Sequence, residues 1–184
     1  MKFDPLKVVQ ASAVVLRFHG RRASRLRLLK ILAIADREAL AETLETITGD
    51  HLVAMDHGPV LSQTYDTLKG ESVHSILWNR YIEQAGPQDL RLAFDPNVDL
   101  LSRYEIEKLE AICDRFRLNN DYELAEYTHT FPEWIKNCPP KGSSRPIPLD
   151  DVLGALGMAD QAQIVKERDA QEAELDRLFR TEPA

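Results

Sequence analysis

Ser102-Arg103-Tyr104-Glu105-Ile106-Glu107-Lys108-Leu109-Glu110-Ala111-Ile112-Cys113-Asp114-Arg115-Phe116 decides the fold class. Ser102 followed three residues on by Glu105 matches a capping box, in which each side chain satisfies a backbone N–H left open at a helix start. Ile106, Leu109, Ile112, Cys113 and Phe116 then recur at spacings of three and four, one face of an α-helix. The stretch predicts a helix with one buried stripe.

The same pattern recurs on both sides of it. Leu6, Val9, Ala13 and Leu16 predict an amphipathic helix over residues 5–18, and Ser24 is placed to cap a second helix that runs to about Thr43. Leu28, Leu29, Leu32, Ile34 and Ala35 make its stripe, and Thr48-Gly49-Asp50 is a turn signal. Pro59 suits the first residue of a further helix, with Val60, Leu61, Tyr65 and Leu68 facing inward and Gly70 as its stop. Asn120 or Asp121 caps the next helix, and Pro132 starts another turn carrying Trp134. His51–Met55 and Leu90–Phe94 are short and β-prone, and pairing them would give a small antiparallel hairpin or two-stranded sheet packed on the helices. Prolines, glycine and serines between Cys138 and Pro148 mark a loop, followed by a short helix that ends at Gly157. Residues 159–180 are highly charged with a thin apolar stripe of Ile164, Val165, Leu175, Leu178 and Phe179. The expectation is a mainly α, compact helical domain over residues 1–157 and a charged C-terminal helix over 158–184.

Composition narrows the function. The chain has 184 residues and is 43% apolar, enough for one core that buries roughly two-thirds of the unfolded surface. A net charge of -7 argues against a nucleic-acid partner, which calls for a basic face. Arg17, Arg21, Arg22, Arg25, Arg27 and Lys30 form a local basic run that reads as a solvated helix face. Cys113 falls on an apolar stripe, and two cysteines without metal-ligand spacing make no disulfide framework. No apolar run approaches the ~20 residues needed to cross a bilayer, and no secretory signal core is visible. A cytoplasmic protein without membrane contact is expected.

Two fragments carry unusual residues: Asp56-His57-Gly58-Pro59-Val60 with Tyr65, and Thr128-His129 with Phe131-Pro132-Glu133-Trp134. His57 with Asp56, His129 and Glu133 could transfer protons near neutral pH. Yet no nucleophile elbow, phosphate-cradling glycine loop or HExxH helix accompanies them. His19, His51, His57, His74 and His129 form no i,i+4 pair of metal-ligand type. The residues favour a structural role instead, with each histidine bonding backbone groups near a helix end and Trp134 and Tyr65 packing around them. A helix-turn-helix over residues 24–50 lacks a clear turn. No catalytic residue, cofactor or metal is expected.

In order and spacing these fragments resemble the Panacea family of SocA-like antitoxins. The resemblance runs through Leu28–Arg37 with Asp36, Thr48-Gly49-Asp50, and Ala54–Val60 with Asp56, His57, Gly58 and Pro59. It continues through Tyr65, the Leu101-Ser102…Glu105 helix start, Thr128-His129, Pro132-Glu133-Trp134 and Pro146-Ile147, covering roughly residues 5–157. It implies a mostly helical, non-enzymatic protein that neutralises a protein toxin encoded by the adjacent gene. One branch of the family implies another mode, as an adaptor that delivers its toxin to an ATP-dependent protease. The motif residues would then hold the fold or touch the partner. The tail, through Val165, Leu175, Leu178 and Phe179, lies outside the resemblance and offers an amphipathic helix for a groove on the toxin. An acidic antitoxin suits a basic toxin. Homo-oligomerisation is left open. A small enzyme using His57 and His129 is the third reading.

Overall fold

The computed structural model describes residues 1–180, excluding the side chains of Asp176, Phe179 and Arg180, so the expected contact of Phe179 lies outside the described set. Helix α1 (Pro5–Phe18) starts where Asp4 accepts from the N–H groups of Leu6 and Lys7 at 2.9 and 3.1 Å. Strand β1 (Arg22–Ser24) leads into α2 (Arg25–Thr43), capped by Ser24 Oγ on Arg27 N at 3.0 Å. Residues 8–16 of α1 and 28–36 of α2 are buried without a break. The expected stripes therefore understate these helices, which run through the core and are covered on every side. Gln10, buried on α1, is satisfied by Asp99 and by Leu100 N.

Strands β2 (Leu52–Met55) and β3 (Gly58–Leu61) form a hairpin, followed by α3 (Ser62–Lys69) and the short α4 (Ser75–Trp78). Strands β4 (Ile82–Gln84) and β5 (Asp89–Leu92) form another. Next come α5 (Arg103–Arg115), α6 (Asp121–His129), α7 (Pro132–Asn137), the two-residue strand β6 (Arg145–Pro146), α8 (Leu149–Ala155) and α9 (Ala162–Arg180). Ser102 with Glu105 and Asn120 with Glu123 are complete capping boxes at α5 and α6. Trp78, Ile82 and Cys113 lie in the main core with α1 and α2, while Leu40, Ala54, Ile147, Val152, Leu153 and Val165 form a second, smaller one.

The chain is mainly α, but one expectation about strand pairing and one about Pro59 are overturned. Residues 51–55 and 90–94 do not pair with one another. They lie in separate three-stranded antiparallel sheets, ordered β1-β5-β4 and β3-β2-β6. Each finds a partner closer in sequence, where loop closure costs less entropy. Pro59 does not start a helix: it sits in β3 opposite Ala54. Strand β3 is a sheet edge, where a residue with no N–H is tolerated. Helix α3 begins three residues later and takes its cap from a distance, with the Asp50 carboxylate accepting from Gln63 N, Thr64 N and Thr64 Oγ1 at 3.0, 2.8 and 2.8 Å.

The basic run is a solvated face only in part, with Arg21 and Arg22 exposed. Arg17 pairs with Asp95 and Arg22 with Asp89, while Arg27 pairs with Asp121 at 2.9 Å, and Lys30 is buried. The tail divides. Its first turns lie on the body through buried Val165 and through Arg168, which donates to Leu44 O at 2.6 Å. Leu175 and Leu178 are more than half exposed. Among the described residues no helix is long and apolar enough to cross a membrane.

Candidate functional site

The β2–β3 hairpin turns on Asp56-His57 and closes at Met55 opposite Gly58. Gly58 has φ +90°, a left-handed conformation that side-chain-bearing residues rarely adopt. A Cβ there would lie 2.3 Å from Thr128 Oγ1, 3.0 Å from Lys30 Nζ and 3.1 Å from His129 Cδ2. Glycine thus lets the hairpin seat directly against α2 and α6. Pro59 follows, and its carbonyl accepts from Lys30 Nζ at 2.7 Å.

Behind Gly58 the His129 ring stacks on Trp134, with centroids 4.2 Å apart and planes 13° from parallel. Nδ1 of His129 lies 3.2 Å from Glu126 Oε1, and its Nε2 is buried with no hydrogen-bond partner among the described residues. The Trp134 indole N–H donates to Met55 O at 3.1 Å, tying α7 to the hairpin. Trp134 is half-buried, and Pro132, at the start of α7, is exposed. Beside them Glu133 is buried and meets Arg37 at 2.5 Å, and the Arg37 guanidinium lies 4.3 Å from the centre of the Phe131 ring.

Beside the hairpin a cleft of about 330 Å³ opens. Lys30 is its floor, Leu26, Leu29 and Tyr65 its walls, and exposed His57, Ser143 and Ser144 its rim. Asp56 Oδ2 accepts from Gly142 N at 2.8 Å and so fastens the 138–148 loop to the hairpin. Among the described residues Lys30 forms no ion pair, and its one hydrogen bond is the bond to Pro59 O. Burial pulls its amine down to about 7 from the ordinary 10.5, because a charge removed from water is disfavoured.

Seven of the expected residues therefore converge on one hairpin: Asp56, His57, Gly58, Pro59, Tyr65, His129 and Trp134. Asp36 stands apart. Its carboxylate accepts from Ile47 N at 3.0 Å, Thr48 N at 3.1 Å and the Thr48 hydroxyl, and so pins the turn after α2. Burial pushes this carboxyl up to about 7 against those hydrogen bonds. His57 borders this cleft, and His129 is not among the residues that line it. Among the described residues no group of three or more His, Cys, Asp or Glu is placed to hold a metal ion.

The sequence placed Lys30 only in a basic run and Asp50 and Arg37 only within longer motifs, without the contacts they make here. For Lys30 a signal existed, since it is the only polar residue in the apolar run Leu28–Ala35 of a helix buried all round. A family model described as antitoxin SocA-like, Panacea domain, matches residues 28–135. No curated protein and no solved structure matches the chain.

Proposed function

This chain belongs to the SocA-like antitoxin, Panacea-domain family, and we propose that it silences a cognate protein toxin by binding it directly. The matched span holds most of α2, the hairpin and α6, and a family of antitoxins suggests a role without catalysis. The observation that carries direct binding is the divided tail. Val165 anchors the start of α9, while Leu175 and Leu178, 53% and 57% exposed, stand on its outer part beyond the matched span. A helix presenting apolar residues at such spacing fits a groove on a partner. The net charge of -7 favours a basic partner, because complementary charge speeds encounter. In this reading residues 1–157 are the family body and 158–184 the partner-binding tail.

Co-expression with the product of the adjacent gene tests the proposal. The neighbour should arrest growth alone, be harmless with this chain, and co-elute with it. Deleting residues 171–184 leaves Val165 and Arg168 in place and should weaken protection. Full protection by that truncation would remove the tail from the interface. Protection accompanied by disappearance of the toxin, without a stable complex, would instead favour delivery to an ATP-dependent protease.

A further inference from the structure

We propose that the cleft above Lys30 binds a small organic anion, with the amine meeting a carboxylate or phosphate group and Leu26, Leu29 and Tyr65 covering an apolar body. The inference is independent of the toxin reading.

Three observations carry it. An ammonium has three donors, and Lys30 uses one, on Pro59 O at 2.7 Å. Buried charges in proteins are normally paired, and among the described residues this one forms no ion pair. Finally, Lys30, itself fully buried, is among the residues lining a cleft of about 330 Å³, within the range of small-molecule sites, where apolar walls and a few convergent polar groups are the rule. A lysine that served only to hold Pro59 would need no such space beside it.

The titratable groups around the amine shape the ligand. Asp56 and His57 come from the hairpin, Tyr65 from α3, and His129 lies behind Gly58 on α6. Asp56 accepts from Gly142 N at 2.8 Å, so the carboxylate in the cleft lining has a partner on the loop. His57 and the Ser144 hydroxyl stand on the rim, where they can donate to the outer oxygens of an anion. Because burial lowers the affinity of Lys30 for its proton, an arriving anion restores the charged form. Binding near pH 7.5 is therefore accompanied by proton uptake.

Benzoate and phenyl phosphate serve as probes with the full chain, and benzyl alcohol as the neutral control. Calorimetry in two buffers of different ionisation enthalpy reads both affinity and proton uptake, and NMR of 13C-labelled lysine reads the Lys30 Cε signal. At least one of the two anions should bind saturably in the millimolar range or tighter, take up protons and shift the Lys30 signal, while benzyl alcohol does not. Benzoate alone would assign a carboxylate ligand, phenyl phosphate alone a phosphate. Lys30→Met should weaken binding at least about tenfold. His57→Gln, on the exposed rim, should weaken it several-fold and covers the case in which Lys30→Met does not fold. Absence of saturable anion binding, or binding without a response at Lys30, overturns the proposal.

Discussion

The indole of Trp134 lies flat on the imidazole of His129, 4.2 Å between centroids, while its N–H reaches across to the carbonyl of Met55. One side chain on α7 thereby joins the end of α6 to the β2–β3 hairpin. Because Trp134 is half-buried rather than fully enclosed, its removal costs less than that of a central core residue. Trp134→Ala should destabilise by about 2–4 kcal/mol in urea unfolding. Trp134→Phe keeps the stack and loses the bond to Met55, and should cost about 1 kcal/mol. A native-like midpoint for Trp134→Ala would contradict this joint.

Gly58 meets two independent obstacles to a side chain. Its φ is +90°, and an added Cβ would come 2.3 Å from Thr128 Oγ1. Gly58→Ala should lower stability by about 2–4 kcal/mol through strain and displaced packing. The variant should also loosen the hairpin, seen as faster amide exchange in β2 and β3. Unchanged exchange and stability would show that the hairpin does not depend on this close seat.

Lys30 makes stability depend on alkaline pH. The folded amine titrates near 7 and the unfolded one near 10.5, so the unfolded chain holds the proton more tightly. Stability from this group therefore rises as pH increases from about 7 to about 10.5, by about 5 kcal/mol at the upper limit. Lys30→Met removes that slope and should melt higher than the parent at pH 7. Equal slopes for parent and variant would place the amine in water.

Asp36 acts in the opposite sense at lower pH. Its folded carboxyl titrates near 7 and an unperturbed one near 3.8, so the native state holds the proton more tightly. Its contribution falls as pH rises between these values. Asp36→Ala strands the Ile47 and Thr48 N–H groups and should cost about 3 kcal/mol or more, while Asp36→Asn keeps an acceptor and should cost less. Matching losses for the two variants, read by denaturant melts, would reject the hydrogen-bonding role.

Helix starts were legible because their signals are local: Ser24, Ser102 and Asn120 each cap the helix that follows them directly. Sheet partners were not, because β5 lies between β1, more than sixty residues earlier, and β4 just before it. Pro59 misled because Gly-Pro serves a helix start and a hairpin equally well, and only the left-handed Gly58 tucked under Thr128 distinguishes them. The site followed the same division. Seven motif residues were named in advance from the sequence. That Lys30 is their buried neighbour depends on how α2 threads the core.

Direct binding is tested most sharply by mixing purified chain with the purified product of the adjacent gene. The account predicts a stable stoichiometric complex on size exclusion in which the toxin is inactive, with weaker binding when residues 171–184 are deleted. If the two proteins fail to associate while the chain still protects cells, neutralisation by direct binding is wrong.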